Sequence, residues 1–155
     1  MNTSTSDNRM QPLVSVIIAS YNHAPYIEAS IGSVLAQTYA NIELLVVDDG
    51  STDGSVELLR TLSAKHGFDL RVQENKGLSR TLNESVARCS GSLVVPFGSD
   101  DVMFPHRIAT QVAYMEGKPE VGICSANTEI IDAKLQIRSE AAQSFYRRCH
   151  AAIIH

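Results

Sequence analysis

No stretch of this sequence approaches the ~18 consecutive apolar residues of a membrane span, and the opening MNTSTSDNRMQ lacks the apolar core of a secretory signal. A cytoplasmic location is the expectation. Cysteine is scarce: Cys89, Cys124 and Cys149 are odd in number and widely spaced, so they make neither a disulfide framework nor a zinc cluster. Basic charge is in deficit, with 13 Lys and Arg against 17 Asp and Glu and a net charge of -4. No basic field is available to hold a nucleic-acid backbone, which argues against nucleic acid as a partner. Glycine is missing from the turn SYNHAPY (20–26). The chain therefore has no G-x-G-x-x-G at its first strand end to admit a dinucleotide pyrophosphate, and a Walker lysine loop is absent too. His23, His66, His106, His150 and His155 fall at no metal-ligand spacing and are expected to face solvent. Of these, His106 alone follows an acidic pair at a helix start. Nor is there an internal repeat or a low-complexity tract.

What is present is patterning. With 155 residues, 44% of them apolar, the chain has the size of one globular domain that buries ~68–70% of its unfolded surface. Residues 1–11 are polar and aperiodic and read as a disordered arm, leaving 12–155 as the domain. LVSVIIA (13–19) and IELLVV (42–47) are short β-branched runs of the kind buried on both faces of a parallel sheet. A weaker strand is expected near Leu70–Gln73, a fourth at SLVVPF (92–97) and a last at VGICSA (121–126). Between them run helical spacings: Ile27, Ile31, Val34, Leu35; then Val56, Leu59, Leu62; then Leu78, Leu82, Val86; then Ile108, Val112, Met115, with Pro105 pre-setting the last start. Strands alternating with helices specify βαβ units, hence an α/β fold of three layers, α/β/α, around a mostly parallel sheet. Ligands of such sheets bind beyond the carboxyl ends of the strands.

Those ends hold AlaSerTyrAsn, AspAspGly and GlySerAspAsp. Successive residues of an extended chain point to opposite faces, so in each acidic pair, Asp48-Asp49 and Asp100-Asp101, one carboxylate can face the crevice while its neighbour braces a turn. Carboxylates gathered in a cleft need compensation, and Mg²⁺ or Mn²⁺ with phosphate oxygens would supply it. The same residues are also favoured helix caps and turn formers. Tyr21 offers a ring that could stack on a nucleobase or simply make a hydrophobic contact. Arg80 and Arg107 lie where either could pair with a diphosphate, and a solvated helix face accounts for them equally well. Asn83-Glu84-Ser85 matches a glycosylation sequon, but inside a predicted helix it reads as chance.

Taken in order, VSVIIASYNHAPYIEASIGSVLAQTYANIELLVVDDGSTDGS, then ENKGLSRTLNESVARCSGSLVVPFGSDD and a following PHR resemble the nucleotide-binding half of an inverting family 2 glycosyltransferase with the GT-A fold. The likeness covers about residues 13–115. It implies a nucleotide-diphosphate sugar donor, commonly a UDP-sugar, a divalent cation, and a glycan or lipid-linked acceptor. On the matching positions Ala19, Ser20 and Tyr21 would line the base pocket, Asp49 would accept a hydrogen bond from the base, and Asp48 would support that turn. Arg80 and Ser99 join them as nucleotide-binding candidates. The family's Asp-x-Asp falls on Gly98, Ser99 and Asp100, which makes Asp100 the metal ligand, with Asp101 beside it.

Two departures from the family pattern stand out. Gly98 replaces the first acid of Asp-x-Asp, and the family's catalytic base belongs to a downstream half that these residues do not reach. The later acids are Glu116, Glu120, Glu129, Asp132 and Glu140, and none is assigned as the base. The alternative reading is therefore a catalytically incomplete nucleotide-sugar-binding module or assembly part. Self-association or peripheral membrane attachment would suit either. A phosphoacceptor receiver domain, suggested by VVDDGS, is disfavoured because its acid pair closes the first strand and needs a strand-end Lys.

Overall fold

A computed structural model describes residues 11–137, which fall into two compact units meeting between Ala113 and Tyr114. In the first unit, strands β1 (Val14–Ser20), β2 (Ile42–Asp48), β3 (Asp69–Val72) and β4 (Leu93–Gly98) alternate with helices α1 (Ile27–Leu35), α2 (Ser55–His66), α3 (Leu78–Val86) and α4 (Arg107–Met115). The strands form a parallel sheet in the order β3-β2-β1-β4. The first three advance to one side of β1 and the fourth returns to the other. Right-handed crossovers then place α1 and α2 on one face and α3 on the opposite one, which is the expected α/β/α arrangement.

One face of the sheet contributes Val14, Val16, Ile18, Leu44, Val46 and Phe97 to the core, packed against Ile27, Ile31 and Val34 of α1, Leu59 and Leu62 of α2, and Ile108 and Val112 of α4. The second face of the two inner strands is buried too, through Ile17, Leu45 and Val47. The β-branched runs of β1 and β2 thus have the two-sided burial that their composition indicates. β4 is an edge strand, with Val94 and Pro96 exposed. A proline without an N–H is tolerated there because no further strand asks for its hydrogen bond.

The structure corrects the sequence reading in three places. VGICSA (121–126) is not a strand; the described part of the second unit has only an isolated antiparallel bridge, Ile131 to Ile137, closed around Asp132, whose carboxylate accepts the Lys134 and Gln136 N–H groups. With Ile123 89% exposed, that segment lacks the burial that would reward pairing. Leu35 is exposed and Ser30 takes its place among the buried residues of α1. In α3 the stripe Leu78, Leu82, Val86 is not the buried face: the buried residues are Thr81 and Ser85, Leu82 is half-buried, and Leu78 and Val86 are 63% and 46% exposed. Hydrogen bonding turns this helix. The Thr81 hydroxyl donates to Asp49, Ser85 donates to the Thr81 carbonyl, and small side chains let the helix come close to the sheet.

At the amino ends of the strands, the Glu43 carboxylate accepts the Ser15 hydroxyl and the N–H groups of Ser90 and Gly91. Burial pushes the Glu43 carboxyl up, but the Ser15 and backbone hydrogen bonds outweigh it and hold the group below its ordinary range. This clamp brings residue 91 so near β1 that a Cβ there would lie 2.6 Å from both the Leu13 carbonyl and Ser15 Oγ, and 2.8 Å from the Ser15 nitrogen. Two of those atoms are backbone and have nowhere to go. Gly91→Ala is expected to destabilise the protein by about 1–3 kcal/mol, as overpacking does. Urea unfolding checks it: the midpoint should fall with an unchanged slope, and an unmoved midpoint would refute the account.

Candidate functional site

Three loops leave the carboxyl ends of β1, β2 and β4 side by side. The register sets Ser20 opposite Asp48 and Ala19 opposite Gly98. The β1–α1 loop is tied to the β2–α2 loop through Asn22, whose N–H donates to Ser51 Oγ and whose side-chain oxygen accepts the Thr52 N–H. Asn22 holds a left-handed backbone, φ 55°, which asparagine tolerates better than most residues. Ala24 N–H adds a bond to Asp53. On the other side His23 Nδ1 lies 2.6 Å from Ser99 Oγ, so a histidine whose spacing gave it no role bridges to the β4 turn.

Asp48 and Asp49 diverge as alternation requires. Asp48 is fully buried and accepts the Ser51 N–H and hydroxyl, at 2.8 and 2.6 Å, bracing the turn after β2. Asp49 points to the α3 side. Its Oδ1 accepts Gln73 Nε2 (2.8 Å), the Lys76 N–H (2.9 Å) and the Thr81 hydroxyl (3.0 Å), and its Oδ2 accepts the Gly77 N–H (2.8 Å). Burial alone would raise this carboxyl; the bonds from Gln73, Lys76, Thr81 and Gly77 prevail and lower it. The protein itself therefore compensates the inward carboxylate of the first pair, with no cation needed. Gly77 and Thr81 lie in the stretch ENKGLSRTLNES that carries the family resemblance but were given no role there, and Gln73 lies just before it.

The second pair is built differently. Asp100 and Asp101 are exposed, and neither side chain accepts a hydrogen bond from a described residue. Both gather over Gly98: a Cβ at that position would meet Asp101 Oδ2 at 2.5 Å and Asp100 Oδ1 at 3.1 Å. Gly98 thus vacates the space into which the Asp101 carboxylate folds. Partial burial raises the Asp101 carboxyl, the Asp100 charge raises it further, and the Arg107 guanidinium opposes both. That guanidinium also lies 5.6 Å from the centre of the Phe97 ring. Among the described residues no group of three or more His, Cys, Asp or Glu side chains is assembled, so a cation here would take this pair and complete its shell from water and ligand oxygens.

The remaining candidates are placed as follows. Tyr21, 49% exposed, follows β1 directly, and Ala19 is half-buried beside Gly98. Ser20 Oγ is buried without a partner on the α1 side of the sheet, while its carbonyl accepts the Asp49 N–H. Ser99 is buried under His23. Arg80 is not drawn to the strand ends: its Nε pairs with Glu84 at 2.9 Å on the solvent side of α3.

The sequence profile of glycosyl transferase family 2 matches residues 15–150. The chain belongs to glycosyltransferase family 2. An uncharacterized glycosyltransferase of Nostoc sp. is 36% identical over 121 residues, 77% of this chain and 37% of the relative. The putative glycosyltransferase EpsE of Bacillus subtilis is 35% identical over 108 residues, 68% of this chain and 39% of the relative. The chain thus spans about two fifths of the length of these relatives. Among solved structures, the mannosyltransferase PcManGT of Pyrobaculum calidifontis, in complex with GDP-Man and Mn²⁺, superposes with TM-score 0.64 at 32% identity, covering 72% of this chain and 34% of that one. The first 349 residues of Staphylococcus aureus TarS, with UDP-GlcNAc, superpose with TM-score 0.58 at 21% identity over 77% and 40% of the two chains, a likeness of fold. The family 2 fold of this chain is the α/β arrangement of GT-A glycosyltransferases. No helix among the described residues is long and apolar enough to cross a membrane.

Proposed function

We propose that this family 2 chain binds the nucleoside-diphosphate part of a sugar donor at the carboxyl ends of β1, β2 and β4, with Mg²⁺ or Mn²⁺ held at Asp100 and Asp101, and serves inverting transfer of the sugar to a glycan or lipid-linked acceptor. The observation that carries this reading is the exposed pair of carboxylates over Gly98, which the chain leaves without a hydrogen-bond donor. Two like charges so placed are costly unless a cation joins them. Support comes from PcManGT, whose structure holds GDP-Man and Mn²⁺. UDP is the first donor nucleotide to test.

In such a transfer an acceptor hydroxyl gives its proton to a general base, not assigned among these residues, and attacks the anomeric carbon; the bond to the diphosphate breaks, and the diphosphate leaves with the developing negative charge. The cation, when bound, offsets that charge. This chain's own residues do the rest of the donor-side work. The braced loops after β1 and β2 hold Tyr21 and the Asp49 turn beside the base, and Asp100 and Asp101 fix where the diphosphate is met. Isothermal calorimetry with UDP and GDP, with and without Mn²⁺ or Mg²⁺, tests the reading. Binding that requires the cation and disappears with chelator is expected; absence of binding to both nucleotides with either metal would overturn it.

A second reading, a nucleotide-sugar-binding module without turnover, is favoured by one observation: the Asp132 carboxylate, one of the acids that follow the acidic loop, is spent closing its own turn. Donor hydrolysis distinguishes the two, since a module binds donor without releasing nucleoside diphosphate.

A further inference from the structure

The loop between β4 and α4 carries the acidic pair, and one edge of α1 holds it. Ser30 and Ser33 lie three apart on one side of α1, and Gln37, four further on, follows in the turn just past its end. Ser30 Oγ donates to the Gly98 carbonyl at 2.9 Å. Ser33 Oγ accepts the Met103 N–H at 2.9 Å. Gln37 is engaged at both ends of its amide: Nε2 donates to the Phe104 carbonyl at 2.8 Å and Oε1 accepts the Ile108 N–H, in the first turn of α4, at 3.1 Å. The Thr38 N–H then donates to the Pro105 carbonyl at 2.9 Å. These bonds catch the loop backbone at Gly98 and again from Met103 to Ile108, while the His23 ring takes the Ser99 hydroxyl. Between them Asp100, Asp101 and Val102 form a tip whose backbone is joined by one bond among these, Asp101 N–H to the Gly98 carbonyl.

We propose that the polar edge of α1, with Gln37 as its two-ended member, is a positioning device that holds the Asp100–Asp101 tip in the geometry that receives the cation. The inference rests on the donor-binding reading above and adds to it residues that touch neither nucleotide nor metal. Its physical ground is the acid pair itself. Like charges on a short exposed tip repel, and no described side chain donates a hydrogen bond to either carboxylate; the Arg107 guanidinium offsets part of the repulsion at a distance but fixes no geometry. The restraint has to come through the backbone on either side, and α1 supplies it. A tip fixed in advance spends less of the binding energy on ordering. Polar side chains turned from a helix toward a loop backbone would otherwise sit more cheaply in water.

The test compares the full chain with Gln37→Met, which fills the same space without hydrogen-bonding the Phe104 carbonyl or the Ile108 N–H, and with Val112→Ala, a core truncation in α4 that removes none of these loop bonds and serves as the control for lost stability. Two readouts are taken: amide hydrogen exchange of residues 99–103 in the ligand-free protein, and bound Mn²⁺ counted by electron paramagnetic resonance in the presence of UDP. Gln37→Met is expected to speed exchange at the tip and raise half-saturating Mn²⁺ by about tenfold, the lower range for loss of a group that supports a metal ligand, with excess Mn²⁺ restoring occupancy; Val112→Ala should do neither. Unchanged exchange at residues 99–103 in Gln37→Met, or an equal response in Val112→Ala, would overturn the proposal. If wild-type protein binds no Mn²⁺ yet Gln37→Met alone loosens the tip, the metal reading fails and the positioning role stands.

Discussion

Asp100→Ala is expected to remove cation-dependent nucleotide binding while leaving the fold intact. The Asp100 side chain is exposed and accepts no hydrogen bond from a described residue, so its removal creates no cavity and orphans no buried donor. Stability should therefore stay within the ~0.5 kcal/mol typical of surface substitutions. Binding is another matter. The described chain offers a cation two carboxylates and no third acid or imidazole, so losing one halves the protein's contribution. The effect should reach at least the ~10–100-fold that loss of a merely supporting group costs a metal site. Calorimetric titration of UDP with Mn²⁺ present, alongside a melting curve, reads both quantities. Full-strength Mn²⁺-dependent binding by Asp100→Ala would show that the cation is held elsewhere.

Asp49→Ala reverses that pattern, with a large loss of stability. Its carboxylate is 4% exposed and gathers donors from three parts of the chain: Gln73 after β3, the Lys76 and Gly77 N–H groups before α3, and Thr81 within it. Truncation strands those donors in a site from which water is largely excluded. Each stranded group costs about 1–3 kcal/mol; with partial relaxation the total should be on the order of 3 kcal/mol. Asn is no remedy, because its amide would set N–H against N–H. The loss should also depend on pH. The folded-state pKa of Asp49 is lowered, so its contribution is fully present above the unfolded carboxyl value near ~3.9 and fades as pH falls through the depressed value. Chemical denaturation of wild type and Asp49→Ala at pH 7 and near pH 3 should show the gap narrowing in acid. A gap independent of pH would mean that the carboxylate's charge contributes nothing.

Much of this architecture can be read from the residues alone. β1 and β2 are legible because strands buried on both faces must be apolar throughout, and the acidic pairs are legible because a run that ends in two aspartates has ended at water. The legibility stops where polar groups take over the packing. Leu78, Leu82 and Val86 mimic a buried stripe, yet hydrogen bonding to Asp49 turns Thr81 inward. VGICSA has strand composition but no strand partner among the described residues. His23 shows no metal spacing, since its role is a single bond to Ser99. Gly91 looks like any turn glycine until β1 is found 2.6 Å from its absent side chain. The Ser30, Ser33 and Gln37 edge was present as a helical spacing all along, but a search for apolar periodicity passes over it.

The seating of α3 makes its hold on the sheet an acid-labile latch. The helix covers Ile17, Leu45 and Val47 of the sheet, yet its own buried residues are the hydroxyl-bearing Thr81 and Ser85, with Leu82 half-buried and Leu78 and Val86 outward. What fastens its amino end is one carboxylate, engaged by Lys76, Gly77 and Thr81. Neutralising that single group is expected to loosen α3 before the opposite face, packed by α1, α2 and α4, and faster amide exchange of residues 78–86 in acid would show it.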